Sequence, residues 1–576
     1  MIRRFAATKL LVLLTIGLCA ATAMDVPAAE PNVATSRGMV VCVSPPAAVV
    51  GRDVLRGGGN AVDAAVATAL AMAVTWPSAG NIGGGGFMMV SPGDGKPPVC
   101  VEYRETAPAA AHERTLEHDL RMDGHAVCGT PGTVAGLALA HERYGRRPWR
   151  ELVMPAVRLA REGFAVDAAL AASLNGARKS SLRHPEFQRV FAPPSGSAWR
   201  EGDRLIQPEL AATLERIAED GPTAFYSGPI ADQIVAEMQA GGGLITKQDL
   251  AGYRAKIREP IHGTYRGYDI YGPPPPSSGG TCLVQMLNML EPFTLAPATS
   301  LPADGGAAAP WPTRSLHLVI EVMRRTYRDR ARWLGDSDFV PIPPRLTTKE
   351  YARELAGRID LERATPSASL AGDIPLADES PETTHFSIID RNGMAVANTY
   401  TLQNGYGSRV VVRGAGFLLN NEMTDFNRVP DRTDRTGMIG TPANRIAPGK
   451  RMLSSQTPTL VFRDGKLVLV TGSPGGRTII NTVLCTLVNY IDFQRDVAAA
   501  VAAPRLHHPW FPDQAGFEGL DRPGYTDAIQ QLQKMGHAFS GKPGKQGDAH
   551  SIGWNRQTGR YEPGVDPRID GRAEWE

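Results

Sequence analysis

Cysteine, charge bias and cofactor motifs are what this sequence has least of. Only six of its 576 residues are cysteine. Cys19 falls in the N-terminal segment, and Cys42, Cys100, Cys128, Cys282 and Cys485 are widely separated. No two form C-x-x-C, so neither a zinc site of that type nor a disulfide framework is available. The five read as core thiols, with a single disulfide in an oxidising compartment left open. Lys and Arg number 61 against 59 Asp and Glu, a formal net charge of +2. No basic run exceeds pairs such as Arg146-Arg147 and Arg324-Arg325. A nucleic-acid partner is disfavoured, because no basic excess is available to neutralise phosphates. Gly83 to Gly86 is not followed by Gly-Lys-Ser/Thr, and no G-x-G-x-x-G opens a helix after a strand, so phosphate and dinucleotide loops are excluded. There is no G-x-S-x-G elbow. His112-Glu113 with His118 has the wrong spacing for H-E-x-x-H, and the adjacent His507-His508 point apart on any regular element. No internal repeat is present.

The N-terminus is a targeting segment. Arg3, Arg4 and Lys9 form a positive region, Leu10 to Leu18 is a short apolar core, and Ala21-Thr22-Ala23 is a cleavage signal, with Ala28-Ala29 a later alternative. The apolar core is too short for a comfortable membrane span. Export to the periplasm or medium is expected, with residues 1–29 removed. The rest has the composition of a globular protein, 42% hydrophobic and 21% charged.

Local patterns place the elements. Asn60 caps a helix from Ala61 to Val74 whose small apolar residues on nearly every face mark it as buried. The four glycines before Phe87 to Val90 indicate a close backbone approach at the start of a strand. Val99 to Pro108 reads as a strand carrying Arg104, which is a surface charge or a carboxylate clamp. Helices dominate from Gly136 to about Ile257. Tyr265 to Tyr271 reads as one strand, followed by the stiff Pro273-Pro274-Pro275-Pro276 and a helix from Thr281. Ala296 to Pro312 is an Ala/Pro/Gly-rich insertion. Leu316 to Trp333 is an amphipathic helix whose Arg324, Arg325, Arg328, Arg330 and Arg332 read as its wet face. Tyr351 to Glu362 is a further helix.

After Leu370 to Glu382, an exposed loop by composition, Thr383-Thr384-His385-Phe386-Ser387-Ile388-Ile389 enters a strand. The Thr pair is either ordinary strand sequence or a nucleophile released by a cut before Thr383, its new α-amine serving as base. Strands follow. His385 to Asp390 and Met394 to Leu402 form a hairpin at Asn392-Gly393. Val410 to Val412 and Gly416 to Asn420 are further strands, and Thr459 to Phe462 pairs with Leu467 to Thr471 around Asp464-Gly465. Pro430 to Lys450 is long enough for a lid. Helices from Ile479 and Val497 complete a layered α+β pattern.

Several stretches bear on Thr383 together: Asn398 to Gln403, Asn420 to Phe426, Leu453 to Thr459 and Gly472 to Gly476. With Gly59 to Ala65, Asn81 to Phe87, Arg104 to Pro108, Pro131 to Gly136 and Pro504 to His508, this ordered set resembles the γ-glutamyltransferase (glutathione hydrolase) family of N-terminal-nucleophile enzymes. The resemblance covers nearly the whole mature chain. It implies a four-layer αββα sandwich built from a large subunit, 30–382, and a small catalytic subunit, 383–576, cut from one precursor between Glu382 and Thr383. It implies Thr383 as nucleophile, Thr401 as its orienting partner, and the backbone N–H groups of Gly475 and Gly476 as the oxyanion hole. It implies that Arg104, Ser454 and Ser455 bind the substrate α-carboxylate and that Glu422 and Asp425 bind its α-ammonium. On local pattern alone the serines would be caps or turns and the acids surface charges. The expected substrates are glutathione and other γ-glutamyl compounds with amino-acid or peptide acceptors. No cofactor or metal is expected.

Gln403 stands where the family usually has Asn, the lid lacks an aromatic residue near Thr436, and the insertion lies far from the motifs. A glutaryl- or cephalosporin-type acylase is the enzymatic alternative, and a non-catalytic periplasmic binding protein the other.

Overall fold

Two antiparallel sheets, each facing the other through an apolar layer, carry the architecture. The computed structural model describes residues 37–296, 310–371, 383–436, 438–541, 544–569 and 571–576, all within one unit. Residues 1–36 with the expected targeting segment, most of the expected insertion, and residues 372–382, Glu382 among them, lie outside the described residues.

The thirteen strands of the two sheets are β1 Met39–Cys42, β2 Gly85–Ser91, β3 Val99–Glu102, β4 Lys256–Arg258, β5 Ile261–Tyr265, β6 Tyr268–Gly272, β7 Thr384–Ile389, β8 Ala395–Thr401, β9 Thr459–Arg463, β10 Lys466–Thr471, β11 Ser551–Asn555, β12 Arg560–Gly564 and β13 Arg572–Trp575. The first sheet runs β13-β1-β7-β8-β2-β3-β4 and the second β12-β11-β10-β9-β6-β5. Period-two alternation assigns their faces. Met39, Val41, Phe87, Met89, Ala395 and Ala397 meet Leu460, Val470 and Ile552 between the sheets. Val40, Met88, Val90, Phe386, Ile388 and Val396 point the other way, onto a helical layer.

That layer contains α1 Pro45–Arg56 and the wholly buried α2 Ala61–Thr75. Asn60 caps α2 through a reciprocal box with Asp63, as its sequence requires. The second sheet packs on α3 Gly279–Leu290, α4 Thr313–Trp333 and α5 Thr478–Ile491, whose apolar residues form a third core. The order is helix, sheet, sheet, helix, as expected. Segments on both sides of residue 383 contribute strands to each sheet: β7 lies between β1 and β8, and β9 lies between β10 and β6.

Several local expectations are corrected. Tyr265 to Tyr271 is not one strand but parts of two, turned at Arg266 (φ 49°) and Gly267 (φ 80°). Val410 to Val412 and Gly416 to Asn420 form only a bridge between Val411 and Leu418, because Gly414 and Gly416 take positive φ and break the ladder. The helix expected over Tyr351 to Glu362 spans Lys349–Ala356. β3 stops at Glu102, so Arg104 lies beyond the strand. The Asp464-Gly465 hairpin is present, with both residues at positive φ. All five described cysteines are buried and free.

The largest correction concerns α4. Arg324, Arg325 and Arg330 are 2%, 3% and 3% exposed. They are not a wet face. Arg324 reaches Asp513 and Ser367, Arg325 reaches Glu321 and Thr365, and Arg330 reaches Ser278 and Ser455. Except for Glu321, these partners come from distant parts of the chain, so the helical period alone could not show that this face is covered.

Candidate active site

The glycine run after Asn81 builds one wall. A Cβ on Gly84 would lie 2.0 Å from the carbonyl oxygen of Thr401, and one on Gly85 would lie 2.5 Å from that of Tyr103. Asn81 uses its whole amide here. Its Nδ2 donates to the carbonyls of Ala79 and Thr401, and its Oδ1 accepts from Gly84 N–H and the Thr133 hydroxyl. Gly132 and Thr133 N–H donate to Gly84 O. Two separated motifs thereby lock the end of β8, where Thr401 is the last residue, opposite Gly85.

Thr383 immediately precedes β7, and β7 is hydrogen-bonded on both sides. It is 9% exposed and lines a small cavity. Thr401, Gln403, Arg104, Glu422, Asp425, Ser454, Ser455 and Gly476 line the same cavity. Sequence reasoning missed two further lining residues, Gln456 and Ile479. Gly475 is not among the lining residues but adjoins Gly476 at the entry to α5. Their φ values are 127° and 55°, a left-handed pair that favours glycine. A Cβ on Gly475 would sit 2.4 Å from Thr478 Oγ1. Among the described residues, neither N–H of this pair has an acceptor, while both carbonyls accept from the first turn of α5.

The charged groups meet directly. Arg104, 1% exposed, places Nη1 2.6 Å from Glu422 and Nη2 2.5 Å from Asp425. Glu105 lies 3.4 Å from the same guanidinium. The group expected to meet a carboxylate thus holds the two acids expected to meet an ammonium. Three acids share one arginine at this point. Burial, reinforced by like charges, pushes Glu105 up to about 7 and Glu422 well above the ordinary carboxylate range, while Arg104 opposes both shifts.

Gln403 has φ 81°. Its N–H donates to Thr401 Oγ1 at 2.7 Å, and its Nε2 donates to Asp425 at 3.2 Å. Asn421 Nδ2 donates to Gln403 Oε1 at 2.6 Å, which fixes the direction of the amide. On the opposite wall, Ser454 O accepts from both the N–H and the hydroxyl of Ser278, at 2.8 and 2.6 Å. The polyproline stretch before Ser278 thus serves as a brace. Arg330 Nη2 donates to Ser455 Oγ at 2.9 Å, so α4 reaches the site through a residue the periodicity placed in water.

Away from the cavity, His317, Glu321 and His537 bring one ligand-capable atom each within 4.8 Å of one another. The sequence search missed this cluster because His537 lies 220 residues from His317. His317 already bonds to His537 and to the Asp360 carbonyl, and Glu321 holds Arg325 and the Thr365 N–H. A cation there would have to compete with Arg324 and Arg325 for Glu321.

A family profile described as gamma-glutamyltranspeptidase matches residues 47–575. The chain is 44% identical over 512 residues to the glutathione hydrolase proenzyme of Escherichia coli (strain K12), covering 88% of this chain and 86% of the relative. Among solved structures, the cephalosporin acylase from Bacillus halodurans superposes with a TM-score of 0.81 at 28% identity, covering 96% of this chain and 99% of that one. Helicobacter pylori gamma-glutamyltranspeptidase does so at 0.53 and 39% identity, covering 57% of this chain and 93% of that one. With this match and with strands and site motifs in one constellation, the chain belongs to the gamma-glutamyltranspeptidase family.

Proposed function

We propose that this protein is a proenzyme that cuts itself between Glu382 and Thr383 and then acts as a γ-glutamyltransferase and glutathione hydrolase. In processing, Thr383 Oγ attacks the Glu382 carbonyl carbon, the Glu382–Thr383 C–N bond breaks as the hydroxyl proton passes to the nitrogen, and water hydrolyses the resulting ester to the Glu382 carboxylate and the free Thr383 hydroxyl. A large subunit, 30–382, and a small subunit of 194 residues (576 − 383 + 1) result. Because each sheet draws strands from both sides of the cut, the pieces remain one heterodimer. The export segment makes the product periplasmic or secreted. Among the described residues no helix is long and apolar enough to cross a membrane.

In turnover, the new α-amine, with a reference pKa of about 7.7–8.0, is partly neutral near working pH and takes the Thr383 hydroxyl proton. Oγ bonds to the γ-carbonyl carbon, the C–N bond breaks, and the leaving amine receives that proton. Water or an acceptor amine then attacks the ester and returns a proton to Thr383. Gly475 and Gly476 N–H stabilise the oxyanion. Thr401 orients the nucleophile and holds Gln403. Arg104, Ser454 and Ser455 bind the α-carboxylate, while Glu422 and Asp425 bind the α-ammonium.

The observation that carries this reading is the single cavity that combines Thr383 with Arg104, Glu422 and Asp425. A substrate head group with both signs of charge suits that set. A glutaryl side chain, the acylase alternative, brings no cation for the acids. The test has two parts. Purified protein on a denaturing gel is expected to give two bands, the smaller beginning at Thr383, and Thr383→Ala one band. Release from a γ-glutamyl anilide should greatly exceed release from its α-glutamyl and glutaryl analogues. A wild-type chain that stays whole, or faster release from the glutaryl compound, defeats the proposal.

A further inference from the structure

The wall that carries Asp425 and the wall that carries Ser454 and Ser455 come from separate segments of the chain. A side chain from between them joins the two. Asn444, 4% exposed, ends the 3₁₀ turn Pro442–Asn444, inside the long 430–450 loop. Its Nδ2 donates to the carbonyl oxygen of Asp425 at 2.7 Å, and its Oδ1 accepts from the N–H of Leu453 at 2.9 Å. One donor and one acceptor among its partners fix the direction of the amide.

These bonds close a ring around the Arg104 guanidinium. Nη2 holds the Asp425 carboxylate, and Nε donates to Met452 O at 3.3 Å. Met452 precedes Leu453, and Asn444 ties Leu453 back to Asp425. The two sides of the ring respond differently to a ligand. A γ-glutamyl head brings its carboxylate to Arg104 and its ammonium to Asp425, so the direct ion pair has to give way as the head enters. The Asn444 bonds run to backbone atoms and involve no charge, so they persist through that exchange. Asn444 is itself anchored. Its carbonyl accepts from Asn427 N–H at 2.9 Å. The buried Lys450 ammonium donates to Ala443 O at 2.9 Å, and Thr441 Oγ1 donates to Ala331 O of α4 at 2.7 Å. Buried polar groups whose bonds are made rigidify what they join.

We propose that Asn444 is a positioning residue for substrate recognition. It sets the spacing between the ammonium-binding Asp425 and the carboxylate-binding Ser454 and Ser455, and so favours head groups that carry both charges on one carbon. The inference rests on the γ-glutamyl reading of the Thr383 cavity and deepens it by naming what holds the two subsites apart. Asn444 bonds to none of Thr383, Thr401, Gly475 and Gly476, so its effect belongs to binding and not to the chemical step.

The experiment compares release from a γ-glutamyl anilide and from its glutaryl analogue, which has the carboxylate but no ammonium. The variants are Asn444→Ala and Asn444→Asp, the second keeping an acceptor for Leu453 N–H while losing the donor to Asp425. Thr441→Val, which loses only the bond of the same loop to α4, is the control. In both Asn444 variants KM for the γ-glutamyl anilide should rise about tenfold, the scale of one buried hydrogen bond, while kcat stays near the wild-type value. The γ-glutamyl-to-glutaryl ratio of kcat/KM should fall by a similar factor, and Thr441→Val should keep it. Unchanged KM and ratio in Asn444→Ala, or a fall in kcat alone, overturns the inference. An equal fall of the ratio in Thr441→Val also overturns it, because general loosening of the loop would then suffice. If Asn444→Ala stays one uncut chain, Asn444→Asp carries the same readout, and two uncut variants assign Asn444 to maturation and overturn the inference. Absence of γ-glutamyl anilide release by wild-type enzyme instead removes the reading beneath it, so the two failures are distinct.

Discussion

Replacing Arg104 by methionine, of similar length but uncharged, should expose how the site is balanced. The guanidinium is buried with two carboxylates at 2.6 and 2.5 Å and a third at 3.4 Å. At those distances each close pair has a Coulomb energy of about 6 kcal/mol at an effective dielectric of 20. Much of this is offset by desolvation, so the measurable quantity is the cost of leaving the acids unpartnered, about 3–5 kcal/mol. The cost must depend on pH. Glu105 and Glu422 have folded pKa values raised above the unfolded value of 4.5. Their contribution to stability is therefore fully present below about pH 4.5 and is lost as pH rises through the folded values, near 7 for Glu105. Without Arg104 both values rise further, so the penalty is largest at pH 7 and above and shrinks toward pH 5, where the acids bind protons. Urea unfolding of Thr383→Ala and Thr383→Ala/Arg104→Met, both expected to stay single chains, gives the difference at each pH. A penalty below about 1 kcal/mol, or one equal at pH 5 and pH 7, would refute the reasoning.

Other predictions concern the groups around the nucleophile. Gly84→Ala puts a Cβ 2.0 Å from the Thr401 carbonyl oxygen and 2.8 Å from Asn81 Oδ1. It should cost about 1–3 kcal/mol in unfolding experiments and lower anilide turnover more than a surface Gly→Ala such as Gly176→Ala, where an added Cβ meets nothing within 4 Å. Thr401→Val keeps the shape but removes the acceptor for Gln403 N–H, so kcat should fall about tenfold or more, while Thr401→Ser should retain most activity. Gln403→Asn suits the left-handed backbone better but withdraws the amide by about 1.5 Å. Its thermal midpoint should hold or rise while KM for the γ-glutamyl anilide increases, and an unchanged KM would detach Gln403 from substrate binding.

Much of the fold was legible because it follows from local physics. Asn60 capping α2, Asp464-Gly465 turning β9 into β10 and the glycines before Phe87 each rest on conformational preferences acting over a few residues. The strand after Thr383 was legible from its β-rich pattern and the turn that follows. The site was legible as an ordered set of motifs, and all its expected lining residues except Gly475 and the undescribed Glu382 do share the cavity. Errors came where the outcome depends on distant chain. Tyr265 to Tyr271 has no signal for a left-handed Arg266, and α4 shows a polar stripe whether that stripe meets water or protein.

By itself, then, the sequence determined the globular character, the capped helices, the tight hairpins and the family to which the Thr383 motifs belong. Tertiary structure alone decided which charges meet. Arg104 pairs with Asp425 across 321 residues, and Arg330 supports Ser455 across 125. Dihedral preference and capping act over one or two turns of chain, whereas desolvation and ion pairing depend on what closure brings within a few ångströms. No local pattern records that.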